Sequence, residues 1–215
     1  MIAGQFNELT GAAQLLYALK LDAASAARAT LETASGRCGK YLVVAYDAND
    51  QWLGQASACL WQLEDGTPGR SLFMAQLPAV AQAVRVEFVS AQQPTVALAS
   101  LVAGLRPPTV KIITPPSGAV ALNPLRIAWK AEDPDGDTLR FTVRYSRDNG
   151  VTWQVIADET PRTSIEFNTK GLAGGNGSCR IQVLASDGLH TAEAISDAFT
   201  VPTKTPQASI SFETA

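Results

Sequence analysis

The chain has one histidine, His190, and that scarcity removes whole classes of chemistry. Neither an H-E-x-x-H helix nor a three-histidine zinc centre can be assembled from it. Three cysteines, Cys38, Cys59 and Cys179, occur without a C-x-x-C pair or a His/Cys ligand spacing, which argues against structural zinc. No apolar run approaches the roughly 20 residues that a membrane-crossing helix requires. Charged residues are only 17% of the total. Residues 1–104 carry six Lys/Arg against eight Asp/Glu and residues 105–215 eleven against twelve, so neither half has the basic excess that binds a phosphate backbone. Neither a G-x-S-x-G elbow nor a glycine-rich phosphate loop after a strand occurs. Nothing in the spacing of the 20 acidic residues nominates a glycosidase pair.

What the chain does have is period-two alternation. Leu15, Tyr17, Leu19 and Leu21 fall on one face, and Val84, Val86 and Phe88 oppose Arg85 and Glu87. Tyr41–Tyr46, Trp52–Leu60, Ser71–Leu77 and Thr95–Ala103 add four strands, whereas Asp22–Ala34 suits either a loop or a short helix. Gly104-Leu105-Arg106-Pro107-Pro108 marks a boundary, because two prolines end a strand and stiffen the connection. Beyond it, Thr109–Thr114, the run with Leu125, Ile127 and Trp129 inward, the run with Leu139, Phe141, Val143 and Tyr145 inward, Val151–Ile156, Ser164–Phe167, Ser178–Ser186 and Thr191–Val201 make seven strands. The expectation is an all-β chain of two tandem antiparallel β-sandwiches. The first domain spans residues 1–104, the linker 105–108, the second domain 109–202 and the tail 203–215.

Residues 108–201 resemble bacterial fibronectin type III and related Ig-like modules. The carriers are the tryptophan in IAWKAEDPDGDTL, the run FTVRYSRDNGVTW and the run CRIQVLASDG. Residues 1–104 are similar to the smaller sandwich that precedes such modules near the C-terminus of large exported bacterial proteins. The resemblance implies a non-catalytic accessory, binding or spacer region of an exported or surface protein, placed extracellularly or in the periplasm. Its partners would be neighbouring domains of a longer chain and a polysaccharide or protein surface. Two expectations follow from the N-terminus, a cytosolic protein or a piece excised from such a chain, and Met1 running almost straight into strand-like sequence favours the excised piece. Two alternatives stay open: ancillary domains of a secreted metallopeptidase-like protein or glycosidase whose catalytic residues lie elsewhere, and a calcium-stiffened adhesion module.

Four groups of residues are candidate sites. In Glu132-Asp133-Pro134-Asp135-Gly136-Asp137, alternate carboxylates Asp133, Asp135 and Asp137 can converge on calcium, the one cofactor the chain suggests. The same loop can equally be a polar turn, and Thr138 and Arg144 depart from an EF-hand. Ser146-Arg147-Asp148-Asn149-Gly150-Val151-Thr152-Trp153 fits the Asp-box S-x-D-x-G-x-T-W, whose Ser146, Asp148, Gly150 and Trp153 build a turn, with Asn149-Gly150 suited to type I′. Arg140, Arg144 and Arg180, with Gln182, should share an exposed sheet face able to bind an acidic polymer.

Cys38 and Cys59 flank a hairpin. If it is centred between Ala48 and Asn49, opposed positions sum to 97 and the two cysteines meet, as a disulfide or as two buried thiols. Cys179 points into the core, His190 sits in a solvated turn, and Asn176-Gly177-Ser178 matches a glycosylation sequon.

Overall fold

A computed structural model describes residues 1–18, 36–77 and 82–204; the side chains of residues 17 and 18 are not described. Asp22–Ala34, together with Leu19 and Leu21 of the first alternating run, lies outside the described residues. The described chain is all-β apart from one turn of 3-10 helix at Thr169–Gly171. It divides into two compact units. One comprises Met1–Thr109 with Glu132–Arg140 and Ala185–Ala192, and the other comprises Val110–Ala131, Phe141–Leu184 and Glu193–Ala215.

The first unit is one antiparallel seven-stranded sheet. Its strands are β1 (Ile2–Asn7), β2 (Ala13–Ala18), β3 (Arg37–Tyr46), β4 (Trp52–Gln62), β5 (Arg70–Ala75), β6 (Arg85–Ser90) and β7 (Gln93–Val102). Their order is β2-β1-β5-β4-β3-β6-β7, and the two edge strands β2 and β7 approach each other. The sheet therefore curls until its halves face each other, as a sheet must if its apolar face is to leave water without a second layer. Every strand contributes to the enclosed core. At its centre Phe73 and Phe88 stack at 4.1 Å, and Phe6 meets Phe88 edge-on at 5.3 Å. Both rings of the stacked pair have no exposure, so each contributes the full burial energy of a large apolar side chain, about 2–3 kcal/mol.

The β3–β4 hairpin departs from the expected register. Its turn is centred on Asn49: the Asp47 N–H donates to the Gln51 carbonyl at 3.0 Å, and Asp47 Oδ1 accepts the N–H groups of Asn49 and Gln51. Tyr46 pairs with Trp52, one residue out of step with the expected pairing, and an extra residue, Leu53, then makes it two, so that pairs run Ala45↔Gly54 to Tyr41↔Ala58. A bulge that inserts Gly39 and Lys40 into β3 shifts the ladder back, and Cys38 lies opposite Cys59. The cysteines meet because these offsets cancel, not because the hairpin is regular.

The second unit is a fibronectin-like β-sandwich. Strands β8 (Thr109–Thr114), β9 (Leu125–Glu132) and β12 (Ser164–Phe167) form one sheet in the order β12-β9-β8. The other has the order β11-β10-β13-β14, from β10 (Arg140–Ser146), β11 (Gln154–Thr160), β13 (Gly175–Ser186) and β14 (Thr191–Ile195), with β15 (Phe199–Val201) also paired to β13. Alternation places most inward residues as expected: Ile127, Trp129, Phe141, Val143, Ile181 and Val183 are all buried, whereas Leu139 precedes β10 and is half-buried.

Two strands differ from expectation. The segment after the Asp-box starts at Gln154 rather than Val151, because residues 147–153 are occupied in the loop. The last strand breaks in two at Ser196, whose buried Oγ accepts the Ile181 N–H at 2.9 Å in place of a backbone carbonyl.

Candidate functional site

The loop Asp133–Asp137 follows β9. Its first residue organises it: Asp133 Oδ1 accepts the N–H groups of Asp135 at 2.8 Å and Asp137 at 3.1 Å, and the Gly136 N–H closes a turn on the Asp133 carbonyl. The three carboxylates do not converge as alternation suggests. Asp135 turns away to Arg106, accepting its backbone N–H at 2.8 Å and its Nε–H at 2.7 Å, while the same guanidinium also donates to the Pro134 carbonyl. These contacts, the backbone N–H first and the guanidinium next, hold the Asp135 carboxyl below its usual range. Asp137 Oδ2 accepts the Gly104 N–H at 2.5 Å. Gly104 has to be glycine for this, since a Cβ there would lie 2.2 Å from Asp135 Oδ2.

The carboxylate that does join Asp133 and Asp137 is Asp187, from the turn after β13; one oxygen from each lies within 4.8 Å of the others. Asp187 has no side-chain exposure. Its Oδ1 accepts the N–H groups of Leu189 at 2.7 Å and His190 at 2.6 Å, and its Oδ2 lies 3.0 Å from His190 Nδ1. Asp133 Oδ2 is closed to solvent and has no hydrogen-bond partner among the described residues. Three hard oxygen donors of this kind suit calcium, with Asp133, Asp137 and Asp187 as ligands and Asp135 outside the set. His190, expected in solvated surface, is instead mostly buried, with 12% of its side chain exposed, and paired to Asp187.

The Asp-box is self-contained. Asp148 Oδ1 accepts the Ser146 hydroxyl at 2.7 Å and the Thr152 N–H at 2.8 Å, and Oδ2 accepts the Thr152 hydroxyl at 2.5 Å. Ser146 Oγ accepts the Gly150 N–H at 2.8 Å, and the Trp153 ring packs against Gly150. Asn149 and Gly150 both have positive φ, 61° and 91°, as a type I′ turn requires. The Thr152 hydroxyl and N–H, with the Ser146 hydroxyl, lower the Asp148 pKa to about 2.

The arginine face is less available than alternation implies. Arg140 is exposed at the start of β10. Arg144 is half-buried, with its Nε closed to solvent and without a partner among the described residues. Arg180 is tied down, donating through Nε to Asn149 Oδ1 at 2.6 Å and through a terminal nitrogen to the Ser196 carbonyl at 2.9 Å. Of the three arginines, Arg140 alone is exposed.

Cys38 and Cys59 form a disulfide with a Cα separation of 4.1 Å. Cys179 is a buried free thiol, 3.0 Å from the hydroxyl of Tyr145, which donates to the Ala173 carbonyl at 2.6 Å. Burial, and next the thiol contact, push the Tyr145 hydroxyl far above its usual range.

Sequence reasoning missed Asp187, His190, Gly104 and Arg106 as parts of the aspartate site. Each lies 29 to 55 positions from Asp135 along the chain, and no local spacing links them. The one available signal was the repetition of an Asp-Gly turn, Asp187-Gly188, at the end of the strand that fibronectin modules place beside β10.

No family model matches the chain, and no curated protein matches it. Among solved structures it is similar to the crystal structure of chicken CNTN1 FN1-FN3 domains, with a TM-score of 0.34 and 13% identity. The match covers 79% of this chain and 60% of that one, so the chain spans less than two thirds of that neighbour. The fibronectin-like assignment of the second unit rests on its own strand order.

Proposed function

We propose that this chain is a non-catalytic binding or spacer region of an exported or cell-surface bacterial protein. The observation that carries this reading is the Cys38–Cys59 disulfide between neighbouring strands, since such bonds persist in oxidising compartments and not in the reducing cytosol. The use of polar side chains supports it. Asp148, Asp135 and Asp187 are engaged in holding loop backbone rather than presented to a substrate. Partners would be neighbouring domains of a longer chain and an extracellular protein or polysaccharide surface.

The test is a thiol count on denatured, unreduced protein taken from its native compartment. One reactive thiol among the three cysteines is expected, that of Cys179. Three reactive thiols would remove the argument for export.

A second reading, a calcium-stiffened module, is favoured by the convergence of Asp133, Asp137 and Asp187 and by the buried Asp133 Oδ2, which has no donor among the described residues. A divalent cation there would neutralise carboxylates that otherwise repel one another at short range.

A further inference from the structure

In the second unit the two sheets part company along one seam. At one end the seam is closed: Ala119 to Ala121 pair with Thr200, the Thr200 N–H donating to the Ala119 carbonyl and the Ala121 N–H to the Thr200 carbonyl, each at 2.8 Å. Towards the other end β8 and β14 are not paired with each other. Each is the last strand of its sheet, so each presents an unpaired outer edge among the described residues. Between them lies a groove of about 340 Å³, with Val110–Ile113 and Pro115–Ser117 on one wall and Ala194–Asp197 on the other. Ile113 and Ile195 remain 49% and 48% exposed at its rims. The walls carry opposite charge: Lys111 on β8 and Asp197 after β14 are both exposed, and neither side chain makes an ion pair or hydrogen bond with a described residue.

We propose that this groove takes an extended peptide, added as a strand to an open sheet edge, whose acidic side chain meets Lys111 and whose basic side chain meets Asp197. This rests on the binding half of the function proposed above; the spacer half stands if the groove takes no peptide. Three features of the seam select this occupant. Unpaired strand edges offer rows of N–H and C=O groups that only another extended backbone satisfies along its length. The apolar rims suit alternate β-branched side chains of a strand. The separated, unpaired charges of opposite sign select for a peptide carrying both signs, and against a uniformly acidic or basic polymer. A groove of this volume holds only a few residues, so the contact is short and weak unless it is repeated or tethered.

The experiment titrates the isotopically labelled full chain with two probes followed by amide NMR shifts: acetyl-Glu-Val-Thr-Val-Lys-amide and its charge-exchanged counterpart acetyl-Lys-Val-Thr-Val-Glu-amide. One of the two is expected to move the amides of β8 or β14 at millimolar concentration, and to bind about fivefold more tightly than the other for each rim charge pair it satisfies. The double variant Lys111→Glu with Asp197→Lys should reverse that preference while keeping the dispersed spectrum of a folded chain. An N-methylated form of the preferred peptide should lose binding, because it cannot complete the strand ladder.

The proposal is overturned if neither peptide moves those amides, or if the double variant leaves the preference unchanged. It is equally overturned if the same amides shift with protein concentration alone, which would assign the groove to a second copy. None of these outcomes touches the thiol count, so failure here and failure of the export reading are distinguishable.

Discussion

The two aspartate loops of this chain, one after β9 and one after β10, use the same residue type to opposite ends. Asp148 satisfies both of its oxygens within four residues along the chain, so its loop is built from consecutive letters. The Asp133–Asp137 loop directs its carboxylates outward: Asp135 reaches 29 positions back to Arg106, Asp137 reaches 33 back to Gly104, and Asp187 approaches from beyond β13. The first loop is a fastening, complete in itself. The second joins distant segments of the chain, and it leaves one buried oxygen, Asp133 Oδ2, without a donor among the described residues. A carboxylate in the first loop can be understood from its neighbours in sequence; one in the second only from what the fold brings to it.

The largest expected effect tests that division directly. Replacing Asp187 by Ala leaves the N–H groups of Leu189 and His190, and the His190 ring, without their acceptor in a buried position. Orphaned buried donors cost about 1–3 kcal/mol each, so a loss of about 2–4 kcal/mol is expected, read from urea unfolding midpoints at constant m-value. Asp148→Ala frees a similar number of donors, but its loop is open to water, which takes their place. Its midpoint should fall less. A larger loss at Asp148 than at Asp187 would erase the distinction between the loops.

Calcium gives the next effect in size. If Asp133, Asp137 and Asp187 bind it with a millimolar dissociation constant, as extracellular modules do, 10 mM calcium stabilises the folded chain by about 1.4 kcal/mol. The thermal midpoint should rise in the wild type and not in Asp133→Asn. Asp135→Asn sharpens the comparison, since that residue is engaged by Arg106: it should keep the calcium response while losing its ion pair. No rise at 10 mM, or a rise abolished by Asp135→Asn but kept in Asp133→Asn, would overturn the assignment of ligands.

What the sequence made legible follows the same line. Sheet membership and inward faces were readable because a strand's period of two is local: Ile127, Trp129, Phe141 and Val143 are buried where alternation puts them. The Asp-box and its positive φ angles were readable for the same reason. Register was not. The Asn49-centred turn and an extra residue at Leu53 each move the β3–β4 pairing by one, and only the two-residue Gly39-Lys40 bulge, by cancelling both, sets Cys38 against Cys59. The arginine face was misjudged because alternation reports which side a residue takes, not what already holds it; Arg180 is held by Asn149 and Ser196. The curl that brings β2 and β7 of the first sheet together also has no local signature.

The smallest effect is a pH dependence that belongs to the self-contained loop alone. The Asp148 pKa falls from 3.8 to about 2 in the folded chain, chiefly through the Thr152 hydroxyl and N–H. Because the folded value lies below the unfolded one, the unfolded chain binds the proton first as pH drops. The stabilisation is therefore fully present above pH ~4 and is lost as pH falls through about 2. Asp135 and Asp65 also have lowered pKa values and shift stability in the same direction, so the wild-type curve cannot isolate one group. The difference between wild type and Asp148→Asn can. That difference should be constant from pH 7 to 5, narrow between pH 4 and 2, and then level off, with denaturant midpoints at each pH as the readout. A difference that widened on acidification would mean that the carboxylate is raised by its loop rather than held by it, and the contrast between the two aspartate loops would lose its physical basis.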